Sequence, residues 1–180
     1  MANSKRLFIG FMISDTVGHQ LISKVKQHKH CITPGIRWTI NGTFHITSHF
    51  LGDTDEDKIH QIITALQLVT VSKSATTIII HKIATFPQYK SRLLAAYIQP
   101  NNMVSKVFNE LKVYLNALNI GLDKRDYIPH ITLARNFSND MTEVGLVNDF
   151  TIKINKLALY ESIQSPSGSH YIPLFTTKLG

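Results

Sequence analysis

The sequence predicts an α+β fold built from two similar halves, and three observations carry that prediction. Short β-branched or alternating stretches are interleaved with segments whose apolar residues recur at helical spacing. Their order is strand, helix, strand, helix, strands, helix, strand, strands, which suits an α+β domain. The tripeptide His-Ile-Thr occurs twice, at residues 45–47 and 130–132, each time inside a predicted strand.

Residues 5–13 are rich in strand formers, and Ser14-Asp15 offers a helix N-cap. Val17, Leu21, Ile22 and Val25 then mark a first helix ending near His28. A Pro34-Gly35 turn leads to an extended stretch at 36–40, and Asn41-Gly42 bends the chain into a strand over 43–51. Thr54 with Asp57 resembles a capping box for a second helix, whose face is Ile59, Ile62, Ile63, Leu66 and Val69. Residues 76–83 and 92–98 predict a hairpin around the loop Phe86-Pro87-Gln88-Tyr89. A third helix, capped by Asn101 or Asn102 and stopped by Gly121, buries Val104, Val107, Phe108, Leu111, Leu115 and Leu118. Strands over 128–134, 151–160 and 170–175 follow, the last two separated by the turn Ser165-Pro166-Ser167-Gly168.

The chain has 180 residues, 43% of them hydrophobic and 17% charged, and no linker or low-complexity tract, so residues 1–180 read as one domain. No window approaches the roughly 18 consecutive apolar residues of a membrane span. The N-terminus runs straight into a β-like segment without a secretory h-region, which leads us to expect an unprocessed, cytoplasmic protein that does not associate with membranes. A single cysteine, Cys31, excludes a disulfide framework and a multi-cysteine zinc site. The net charge of +7 suits an anionic partner, and its scattered lysines and arginines fit a substrate with few phosphates better than a long duplex.

Strand alternation puts His45 and Thr47 on one face and Phe44 and Ile46 on the other; His130 and Thr132 are set in the same way against Ile131 and Leu133. If the two strands are neighbours, two imidazoles and two hydroxyls share one cleft. That set fits phosphodiester hydrolysis without a metal or other cofactor: one neutral imidazole takes a proton from water, while the other, protonated, gives one to the leaving oxygen. The hydroxyls would hold the non-bridging oxygens. Taken alone each motif is weak, since about one His-x-Thr is expected by chance in a chain this rich in both residues.

The segments Arg6-Leu7-Phe8-Ile9, Trp38, Phe44-His45-Ile46-Thr47-Ser48-His49-Phe50-Leu51-Gly52 and Pro129-His130-Ile131-Thr132-Leu133-Ala134-Arg135 resemble the bacterial and archaeal RNA 2′,3′-cyclic phosphodiesterases. These are also called 2′-5′ RNA ligases and belong to the 2H phosphoesterase superfamily. The resemblance spans residues 5 to about 175 and implies a two-lobed α+β fold, with antiparallel sheets lining a central cleft, helices outside and pseudo-two-fold halves. It implies no cofactor and no metal. It further implies His45 as general acid, His130 as general base, Thr47 and Thr132 as phosphate binders, and Arg135 as a cation beside the phosphate. Conversion of a 2′,3′-cyclic phosphate to a 2′-phosphomonoester is the implied reaction, with reversible 2′-5′ ligation left open. Cleavage of linear 2′-5′ oligonucleotides and non-catalytic nucleotide binding are the alternatives. A monomer acting on RNA or a nucleotide is expected.

Phe86, Tyr89 and Arg92, in and after the loop of the hairpin, are further candidates for contacting substrate, with Lys82 and Lys90 able to guide an RNA strand. Phe8 and Phe50, inside apolar strands, are expected in the core. His45 and His49 are four apart, the spacing of a zinc pair on a helix, but their surroundings predict a strand. His49 shares the parity of His45, which would set it at the cleft's rim, but a plain surface role is the expectation for it. Ser48, on the inward face, stands where the family usually has an apolar residue, and Gly10 where alanine is commoner.

Overall fold

The computed structural model describes residues 3–28, 32, 34–88, 91–123, 125–137, 150–165 and 168–179, and the backbone of 143–144. In its first half, β1 (Ser4–Met12) leads through α1 (Asp15–Gln27) and the two-residue β2 (Arg37–Trp38) into β3 (His45–Asp55), and a 3₁₀ turn at Glu56–Lys58 opens α2 (Ile59–Thr70). The second half runs through β4 (Thr76–Phe86), β5 (Leu93–Ile98), α3 (Asn102–Ala117) and β6 (His130–Arg135). It closes with β7 (Glu143–Val144), β8 (Phe150–Ile154), β9 (Lys156–Ser165) and β10 (Gly168–Lys178).

The strands join in one antiparallel sheet ordered β10-β9-β1-β3-β6-β5-β4-β7, with β2 on β6 and β8 on β4. Its midline is the seam between β3 and β6, where Ile46 pairs with Ile131. Both isoleucines are fully buried and anchor the seam in the main core, which includes Leu21, Leu66 and Leu111 from the three helices. Burying each such side chain contributes roughly 1.5–3 kcal/mol. Against α1, Gly18 lets the ring of Phe44 come so close that a Cβ would sit 2.5 Å from it. That contact fixes the chain as it enters β3.

Local chemistry sets the helix ends. Ser14 caps α1 by accepting a hydrogen bond from the Val17 amide, and Asn101 caps α3 by accepting from those of Met103 and Val104. Two expected signals act otherwise. Thr54 is buried in β3 and its hydroxyl donates to the carbonyls of Leu51 and Gly52, so no capping box forms and α2 begins without a side-chain cap. Gly121 does not stop α3; the helix ends at Ala117, and Asn119 takes the left-handed turn at φ 53°. The strand expected over 151–160 is two strands, because the chain changes neighbours at Asn155: β8 pairs with β4, whereas β9 lies between β1 and β10. The hairpin of β4 and β5 forms as expected. Cys31, Tyr89, Lys90, Pro166 and Ser167 lie outside the described residues. No helix among the described residues is long and apolar enough to cross a membrane.

Candidate active site

With Ile46 and Ile131 paired and buried, the residues on either side of them project from the opposite, concave face of the sheet. The antiparallel register sets His45 opposite Thr132 and Thr47 opposite His130, a quartet with local two-fold symmetry. All four side chains are half-buried. The imidazoles occupy its diagonal, for which positions on neighbouring strands are about 7–8 Å apart, a gap that a phosphate can bridge.

Each motif carries a β-bulge directly after its threonine. Ile9 pairs with His49 and Gly10 with Thr47, so Ser48 is the extra residue on β3; Leu94 pairs with Ala134 and Ala95 with Thr132, so Leu133 is the extra residue on β6. A bulge twists the strand locally and reverses the alternation beyond it. This reversal overturns two expectations. His49 is neither on the surface nor at the cleft rim: it is 5% exposed, stacked on Phe108 of α3 at 4.4 Å, with its Nδ1 sharing a hydrogen bond with the Ser48 hydroxyl. Phe50 is not in the core: it is 55% exposed and lines the cleft. Ser48, on the inward face as expected, is buried and shares a hydrogen bond with His49. His45 and His49 therefore face opposite sides of a strand, and among the described residues no group of three or more His, Cys, Asp or Glu side chains forms a metal-ligand set.

The two histidines are held alike. His45 donates from Nδ1 to the Thr43 carbonyl at 2.6 Å, and His130 from Nδ1 to the Ile128 carbonyl at 2.8 Å. A carbonyl only accepts, so Nδ1 carries the hydrogen in both rings and Nε2 is left to exchange a proton. Aromatic rings surround His45, with centroids at 4.8 Å for Phe8 and 5.2 Å for Tyr171, and Tyr160 stacked behind Phe8. Phe8 is thus buried as expected, but against the histidine, in a small cluster with Ala158 and Tyr160. Gly10 lies beneath: a Cβ there would come within 3.4 Å of the His45 ring and 3.0 Å of the Ile46 carbonyl oxygen. His130 stacks on Phe86, centroid to centroid 3.7 Å.

Electrostatics favour the neutral form of both imidazoles when the cleft holds no anion. Burial lowers His45 from 6.5 to about 4, helped by the charges of His130 and Arg135 and opposed by the Thr43 carbonyl. Burial also lowers His130, with Arg135 adding to it and the Ile128 carbonyl opposing. An anion between the rings would reverse the trend. The Thr47 and Thr132 hydroxyls have no hydrogen-bond partner among the described residues, which leaves them free to donate.

The cleft has a volume of about 730 Å³ and is lined by His45, Thr132 and Arg135, whereas His130 and Thr47 do not themselves line it. Phe86 and Arg92 line a neighbouring pocket of about 420 Å³ that Arg135 shares. Lys82 lies over the Tyr97 ring instead, 4.8 Å from its centroid. Sequence reasoning missed Arg6 and Arg37 on the cleft wall, and the β9–β10 hairpin opposite, with Ser162, Gln164 and Tyr171. Parity could have found Tyr160 once β9 was paired with β1; nothing local marks the hairpin.

The model of the LigT-like phosphoesterase family matches residues 12–95, which include the first motif. An RNA 2′,3′-cyclic phosphodiesterase of Methanocaldococcus jannaschii is 28% identical over 178 residues, covering 92% of this chain and 96% of its own length. One of Bacillus subtilis is 25% identical over 171 residues, covering 87% and 92%. Escherichia coli LigT, solved in complex with 3′-AMP, shares the fold with a TM-score of 0.81 over 98% of this chain and 99% of its own, at 21% identity. By its match to the family model, its relatives over most of its length and its fold, this chain is similar to the LigT-like phosphoesterases.

Proposed function

We propose that this protein is a metal-independent RNA 2′,3′-cyclic phosphodiesterase that leaves a 2′-phosphomonoester. The observation that carries the reading is the matched tethering of two imidazoles, each fixed at Nδ1 by the carbonyl two residues before it and offering Nε2 to the same face. The names of the full-length relatives support the substrate class.

Binding of the cyclic phosphate puts an anion between the rings and stabilises one imidazolium. Thr47 and Thr132 donate hydrogen bonds to the non-bridging oxygens, and Arg135 balances their charge. His130 takes a proton from water as the water oxygen bonds to phosphorus. On the far side the bond from phosphorus to the 3′ oxygen breaks, and His45 protonates that oxygen. The division of roles follows the family resemblance. An imidazolium whose ring is driven toward neutrality by burial is a willing proton donor, which suits His45. A 5′-hydroxyl in place of water would give a 2′-5′ linkage with the same groups. In this reading the whole chain is one domain acting as a cytoplasmic monomer, since one chain carries both histidines.

Turnover of a 2′,3′-cyclic nucleotide followed by phosphorus NMR tests the reading. A 2′-monoester is expected, with most activity lost in His45→Ala and in His130→Ala. A 3′-monoester would exchange the two roles. No hydrolysis of any cyclic nucleotide or cyclic-phosphate-ended RNA would overturn the function.

A further inference from the structure

We propose that the smaller pocket holds the next phosphodiester of an RNA strand, so that the substrates are oligoribonucleotides in preference to free cyclic mononucleotides. The inference rests on the phosphodiesterase reading for the main cleft and adds a second phosphate subsite made by Arg37, Arg92 and Arg135.

Arg37 and Arg135 are direct partners on β2 and β6, and Leu93 on β5 also pairs with Arg135, which brings Arg92 alongside. Like charges set directly opposite on neighbouring strands repel and destabilise the pairing. Among the described residues none of the three is in an ion pair, and no carboxylate lines the pocket, whose other polar walls are Ser91 and Asn136. A phosphate bridging the guanidiniums turns this repulsion into charge-assisted hydrogen bonding.

The position suits a neighbouring nucleotide. Arg37 and Arg135 line both the cleft and the pocket, so they form the ridge between them. Phe86 also lines the pocket, and its ring lies against His130. The opposite wall of the cleft, from the β9–β10 hairpin, presents the neutral Ser162, Gln164 and Ser169. Arg125, also on the cleft, is neutralised by its ion pair with Asp123. Arg6 is a further cation on the cleft wall, but the cluster of three arginines without an ion pair among the described residues runs from the reacting phosphate through Arg135 toward Arg37 and Arg92, and a strand carrying a phosphate at each step follows it.

Binding of two unreactive ligands tests this without relying on turnover: adenosine 2′-phosphate, and a short oligoadenylate ending in a 2′-phosphate. The wild type should bind the oligomer at least tenfold more tightly. Arg37→Ala and Arg92→Ala should each weaken oligomer binding by about 10–100-fold, the range for losing a charged hydrogen-bond partner. The ratio of the two affinities should fall by about tenfold or more, and the slope of log affinity against log salt should drop by about 0.7. Arg37→Lys should restore the slope but not the full affinity, because a lysine is a point charge without the guanidinium fork. Equal wild-type affinities, or variants that weaken both ligands by the same factor, would overturn the subsite. Arginine-dependent oligomer binding with no hydrolysis of a cyclic phosphate would instead keep the subsite and sink the phosphodiesterase reading.

Discussion

Replacing His49 with phenylalanine should make the protein more resistant to acid. The imidazole is 5% exposed, lies flat on Phe108 and leaves its Nε2 without a partner among the described residues. Burial, aided by the charge of Lys112, lowers its pKa from 6.5 to about 4. Between these values the unfolded chain binds more protons than the folded one, so stability rises with pH across that window. The contribution is complete above 6.5, falls as pH decreases and is gone below 4. At about 1.4 kcal/mol per pKa unit the shift corresponds to roughly 3 kcal/mol, of which about 2–3 kcal/mol is lost by pH 4.5. The substituted phenyl ring keeps the stacking on Phe108 and has no site for a proton. Urea unfolding at pH 7 and pH 4.5 measures the effect: the wild type's midpoint should fall by about 1 M more than that of His49→Phe, for a slope of about 2–3 kcal/mol per molar. Equal falls would mean that His49 is not the group taking up the proton.

Other expectations concern turnover. For kcat/KM, which reports the free enzyme, the bell should lie on the acid side of 6.5, with a limb near 4 from His45 and another from the lowered His130. For kcat the bell should move toward neutrality as the bound anion favours the imidazolium; a kcat/KM optimum above pH 7 would contradict the assignment. Thr47→Ala and Thr132→Ala should each reduce kcat by about 10–1,000-fold, measured under saturating cyclic nucleotide, whereas structural hydroxyls would leave it unaltered. Hydrolysis should survive EDTA; loss with EDTA and recovery with zinc would show a metal requirement.

The sequence was most legible where one local rule governs an element. Asn101 and Ser14 cap because their side chains reach their own helix amides, and the duplicated His-x-Thr registers because alternation holds within each three-residue motif. It was least legible where partners decide. The bulge at Ser48 exists only in relation to β1, and without it Phe50 reads as core and His49 as rim. Residues 150–165 look like a continuous strand preference, yet β8 and β9 serve different neighbours. The arginine ridge was invisible for the same reason: Arg37, Arg92 and Arg135 are far apart in sequence, and only the pairing of β2 and β5 with β6 brings them together.

The Ile46–Ile131 couple makes the spacing of the proton donor and acceptor a property of the core. The two imidazoles hang from opposite halves, each tethered at Nδ1, so the distance between them follows the diagonal across two paired strands, gauged by two packed side chains on the far face. A methyl group removed from either isoleucine would act like a turn of a caliper screw, altering proton transfer across the cleft without touching any atom that meets the substrate. In this sense the hydrophobic side of the sheet is the instrument that sets the chemistry of its polar side.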